Sequence, residues 1–144
     1  MSVVVKFFVA PDDRSAALAL QIGPGRALES RSFGNFDPEE AVDAWECLLV
    51  GGSFEELVQA GEPRIVAGQD DDGCVVFAIS PRLLTALAGA ERSRLRDVAA
   101  SWVQQRSEDG EMVEAEIADE IVSELAALAR SARRQSQGVY CWVA

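Results

Sequence analysis

An α/β (α+β) chain, folded as a single compact domain with a small mixed sheet packed by several helices, follows from three features. Three short runs, Val3–Val9, Val75–Ile79 and Val139–Val143, are dense in β-branched and aromatic residues and read as strands, the first of them covered on both faces. Between them, apolar residues recur at helical spacing, in segments opened by capping residues and closed by glycines. The length of 144 residues fits one domain. Roughly two-thirds of the unfolded surface of such a chain can be buried, enough for a core without metals or disulfides.

In chain order, Lys6 interrupts the first strand and reads as lying near an edge or snorkelling outward. Pro11 ends that strand. Asp12 or Asp13 then caps a short helix, Ser15 to Ile22, stopped by Gly23-Pro24-Gly25. That tripeptide follows a helix and precedes none, so it reads as a turn and not as a phosphate loop. Arg26 to Phe33 forms a modest strand. Phe33-Gly34-Asn35-Phe36 is a tight connection whose two rings pin the loop to the core, or alternatively border a pocket with Asn35.

The next helix has the most explicit start in the chain. Asp37 is the N-cap, Pro38 takes the first helical position and Glu40 completes a capping-box spacing. Ala41, Val42, Trp45, Leu48 and Leu49 make its apolar face, and Gly51 supplies a left-handed stop. Ser53 with Glu56 repeats the start signal for a short helix that ends at Gly61 and Pro63.

Arg64 to Ala67 is a short extended piece, and Gln69-Asp70-Asp71-Asp72-Gly73 a polar turn. Its consecutive aspartates lack the alternation and the closing glutamate of a calcium loop. Cys74 to Ile79 is the clearest central strand. Ser80 caps the following helix, with Pro81 first and Leu83, Leu84, Leu87 and Ala88 as its apolar face. The next helix places Leu95, Val98, Ala99, Trp102 and Val103 in a core stripe. Arg92, Arg94 and Arg96 in its first turn oppose the helix dipole, at about a few tenths of a kcal/mol each. Salt bridges to the many acids account for them; an anion site is the other reading. The last helix, Val113 to Gln135, buries Ile117, Ile121, Leu125, Leu128 and Ala132, with acids at its start and Arg130, Arg133 and Arg134 at its end.

The pattern Asp37…Trp45…Leu48-Leu49-Val50-Gly51 resembles the Trp-x-x-Leu-Leu-x-Gly segment of the YfbM-like proteins, a family of unknown function. The arginine-rich helix end running through Gly138 into Val139-Tyr140-Cys141-Trp142-Val143 resembles the same family. The resemblance implies an α/β fold over most of the chain and carries no catalytic residues to transfer.

Composition removes several functions. A formal net charge of −11 disfavours nucleic-acid binding. The chain has no histidine, and with it go the commonest general base and zinc ligand. Three cysteines, none paired at metal-ligand spacing, read as reduced thiols in the cytoplasm. No apolar run is long enough to span a bilayer, and the first ten residues lack the marks of a signal peptide. No metal or cofactor is expected.

Three functional readings follow. The first is a non-catalytic binding or interaction module that engages a basic protein partner through its acidic surface. The second is a small-ligand binder or carboxylate-based enzyme, with a pocket rimmed by Arg31, Asn35, Asp37, Trp45 and Tyr140 and acid/base work by Asp37 or Glu46. The third is a homo-oligomer joined by an apolar patch that includes Phe7 or Phe8 and Trp142.

Overall fold

The computed structural model describes residues 4–20, 23–25, 28–34, 36–68 and 74–144. The elements are β1 (Val4–Ala10), α1 (Asp13–Ala17), β2 (Ser30–Gly34), α2 (Pro38–Leu49), α3 (Phe54–Gln59), β3 (Arg64–Gly68), β4 (Val75–Ala78), α4 (Pro81–Gly89), α5 (Arg92–Glu108), α6 (Ala115–Arg134) and β5 (Gly138–Val143). The α/β class holds. The strands form one sheet in the order β2-β1-β5-β4-β3, so β5 is its centre and β4 lies one place out. The expected mixed sheet is corrected, because every pairing among the described residues is antiparallel. The layering gives the reason. Helices α2, α4, α5 and α6 share the core on one face, while among the described residues the other carries only the short α1 and adjoining segments. A parallel sheet needs helical cover on both faces; an antiparallel one does not.

Alternation along β1 and β5 sorts their residues between two cores. Val5, Phe7, Val9, Val139 and Cys141 enter the helical core, and Phe8, Ala10 and Tyr140 the smaller one. Both faces are buried, so the strands read as nearly unbroken apolar runs. Lys6 belongs to the second face, where its ammonium lies 5.8 Å from the centre of the Trp142 ring, its cross-strand partner. Asp13 ties that face together. Its carboxylate receives both ends of the Arg64 guanidinium, at 2.5 and 3.1 Å, and the Tyr140 hydroxyl at 2.8 Å. The Arg64 contact holds the Asp13 carboxyl below its usual range, and burial lifts the Tyr140 phenol to about 12.

In the helical core, the Trp45 and Trp102 rings meet edge to face at 5.1 Å. Phe36 lies 5.7 Å from Trp102 and 6.2 Å from Trp45, and Phe33 packs on Phe7. Both loop rings therefore pin the β2–α2 connection to the core. The caps form as expected: Asp37, Ser53 and Ser80 each accept from an amide of the first turn. Gly51 and Gly52 turn the corner after α2 at φ +99° and +97°, a region costly for any residue with a Cβ.

Two helices differ from expectation. Asp12 caps α1, which ends at Ala17; residue 22, the expected end, lies outside the described residues. Ile117 of α6 is 47% exposed, because the buried stripe runs one position later through Ala118, Val122 and Leu125. Two of the three arginines that open α5 have structural partners: Arg92 pairs with Asp119, as expected, and Arg94 donates to the Leu48 carbonyl at the end of α2. The aspartate-rich turn 69–73 lies outside the described residues. No helix among the described residues is long and apolar enough to cross a membrane.

The aromatic contact sets a stability expectation. Trp102→Ala should lose about 3–5 kcal/mol in urea unfolding, the range for deleting a buried indole. A loss below about 1 kcal/mol would place Trp102 outside the core.

Candidate functional site

The residues picked out in the sequence do not form one pocket. Trp45 and Tyr140 project to opposite faces of the sheet, Trp45 fully buried among the helices and Tyr140 bonded to Asp13. Arg31 sits on the edge strand β2, donating to its neighbour's carbonyl at Ser30 and 3.9 Å from Glu29. Asn35 lies outside the described residues. Asp37 is exposed, and its carboxylate accepts from the amides of Glu39 and Glu40 as the cap of α2. Glu46, the other proposed acid/base group, is buried and accepts a hydrogen bond from the Ser80 hydroxyl, which itself caps α4 at the Leu83 amide. The loop around residue 35 does border a cavity, of about 220 Å³, but through Gly34 and Phe36, with Trp102 in place of Trp45.

Phe7 and Phe8 do not contribute to the apolar patch expected for self-association. Phe7 and Phe8 have no exposed surface, and the Trp142 indole donates to the Leu20 carbonyl at 2.8 Å. All three cysteines are free thiols, with Cys141 buried and its ionisation strongly opposed by burial.

The structure assembles a different site beside α2. Residues 39, 43 and 46 fall on one side of that helix at i, i+4 and i+3 spacing. All three are acidic, and the stripe adjoins the one that carries Ala41, Val42 and Trp45 into the core. Asp37, Glu39, Glu40 and Asp43 then line an open groove of about 500 Å³, closed by Phe54 and Val58 of α3 and by Glu62 and Pro63.

The five carboxylates of the groove are not equivalent. Asp37 is engaged as a cap. Glu40 receives the Arg106 guanidinium at 2.7 Å, and Asp109 also holds that arginine, at 2.8 Å. The carboxylates of Glu39, Asp43 and Glu62 have no hydrogen bond or ion pair with any described residue. Asp43 is the extreme case, only 4% exposed. A buried, unpaired carboxylate is costly in its charged form. Burial, reinforced by Glu46, Glu62 and Glu39, accordingly raises its pKa to about 7. Burial also raises that of Glu39. Such a floor favours a cation. The Glu39, Asp43, Glu46 spacing was visible in the sequence as a like-charge stripe, but only the packing of α3 turns it into a groove. Among the described residues no cluster of acids and cysteines converges closely enough to hold a metal ion.

The sign of the pH effect follows from the direction of the shift. Folding raises the pKa of Asp43, so the folded chain holds the proton more tightly than the unfolded one. This contribution to stability is fully present below the ordinary carboxylate range and is lost as the pH rises through about 7. Asp43→Asn removes the buried charge. It should raise stability at about pH 8 by about 1–3 kcal/mol and flatten the decline above about pH 4, in urea titrations across that range. An equal loss of stability at every pH would show that the carboxylate has a partner in the folded chain.

No protein-family model matches the chain, and no curated protein matches it. Among solved structures it is similar to YfbM of Escherichia coli, described as a protein of unknown function. The similarity covers 98% of this chain and 99% of that one, at 12% identity and a TM-score of 0.43.

Proposed function

We propose that this chain is a non-catalytic binding protein whose acidic groove receives a basic segment of a protein partner. One observation carries the reading: Asp43 is 4% exposed at the groove, and no described residue neutralises it. Folded chains rarely keep a buried carboxylate without a partner, and a cation from outside relieves it. The net charge of −11 draws a basic partner toward the surface before contact is made. Three free thiols fit a partner met in the reducing cytoplasm.

The alternative, a small-ligand binder or carboxylate enzyme, keeps one point in its favour. A carboxyl that titrates near 7 suits a proton acceptor. Asp37 and Glu46, however, are engaged in capping α2 and in holding Ser80, so acid/base work would fall to Asp43 alone.

The test is binding of an arginine-rich peptide, followed by amide chemical shifts. Shifts at Glu39, Asp43 and Val58 are expected at low salt, with affinity falling steeply as salt is raised. The triple variant Glu39→Gln, Asp43→Asn, Glu62→Gln should weaken binding about tenfold or more. Absence of binding at low salt, or unchanged binding by the triple variant, would refute the proposal.

A further inference from the structure

We infer that the groove seats a single organic cation on an apolar stem, an arginine or lysine side chain, and that seating it expels the proton of Asp43. The inference rests on the binding role proposed above and names the group that enters. The walls of the groove are apolar. Phe54 and Val58 stand one helical turn apart on α3 and are 47% and 54% exposed, and both line the groove beside the carboxylates. Large apolar side chains left this open offer a surface for methylene groups. An arginine or lysine lays its stem on such a surface while its head seeks an acceptor. The Phe54 ring adds a face able to attract the cation itself. A bare metal ion would use neither wall.

The floor supplies the acceptor. With Asp37 held as a cap and Glu40 held by Arg106, the groups left to meet the head are Asp43, Glu39 and Glu62. Asp43 is the deepest, so the head that reaches it is largely withdrawn from water. Charge-assisted hydrogen bonds are strongest in that setting.

The charges facing Asp43 are Glu39 and Glu46 from its own helix and Glu62 from the segment leading into β3, with the Cys47 thiol adjoining. All are acidic. Below about pH 7 the empty site therefore holds a proton in place of a cation, and an entering cation favours the ionised carboxylate. The balance is simple: one proton leaves the Asp43 carboxyl for the buffer, and one unit of positive charge takes its place. Binding must then strengthen as the pH rises, because only the ionised fraction is competent.

The test uses N-acetyl-arginine amide, the lysine counterpart and the uncharged citrulline counterpart. Amide shifts map the site, and calorimetry in buffers of differing ionisation heat counts protons. Arginine or lysine should move Asp43, Phe54 and Val58, with affinity about tenfold higher at about pH 8 than at about pH 6. Proton release should be measurable near neutrality, and citrulline should be silent. Asp43→Asn should abolish the pH dependence, and Phe54→Ser should weaken binding without altering proton release. If cations bind the groove equally at both pH values with no proton release, the inference fails while the binding role stands. If neither these probes nor an arginine-rich peptide binds, both fail. Binding of citrulline as tightly as arginine also overturns the inference.

Discussion

The packing of Trp45 constrains everything around it. Its ring is buried against Trp102, Phe36 and Phe7, at the point where α2, α5, β1 and the β2–α2 connection meet. A helix anchored by so large a side chain cannot rotate about its axis without opening the core, a loss of about 3 kcal/mol or more. The orientation of α2 is thus decided by its apolar stripe. The neighbouring stripe of Glu39, Asp43 and Glu46 must go where that leaves it, which is partly under α3 and toward α4. Glu46 finds Ser80 there. Asp43 finds no described partner.

Placement of this kind separates scaffold from site. On the far side of the sheet, polar groups are matched: Arg64 and Tyr140 both meet Asp13, and Lys6 lies over Trp142. Arg106, although nearly buried, has Glu40, Asp109 and Glu111 around it. Asp43 differs from these groups: it is 4% exposed, no described residue bonds its carboxylate, and the exposed Phe54 and Val58 stand beside it. Such a local departure from energetic consistency is a warrant for function and not for folding.

Much of the scaffold was legible because its signals are local. Asp37-Pro38, Ser53 and Ser80-Pro81 mark helix starts through hydrogen bonds that span only three residues, and each forms. Val4–Ala10 and Gly138–Val143 read as strands because both of their faces are buried. Strand direction and order were not legible, since they depend on which distant runs pair. The expected pocket failed for the same reason. Trp45 and Tyr140 each looked available, but alternation along β5 sends Tyr140 to the face that Trp45 does not occupy. Ile117 fitted the helical period as well as Ala118 does, and only the approach of neighbouring elements decides which is covered. Asp43 reads in the sequence only as one acid of a like-charge stripe; its burial depends on α3 and the Glu62–Pro63 segment, which line the groove beside it.

Whether the groove takes a cation depends on the state of one side chain. The most direct test is a carbon-detected NMR titration of the Asp43 side-chain carboxyl in the free protein. The account predicts a midpoint near 7, with Glu39 also above the usual carboxylate range. A midpoint near the ordinary aspartate value of about 4 would mean that Asp43 is hydrated or already neutralised, and would contradict a groove held ready for a cation.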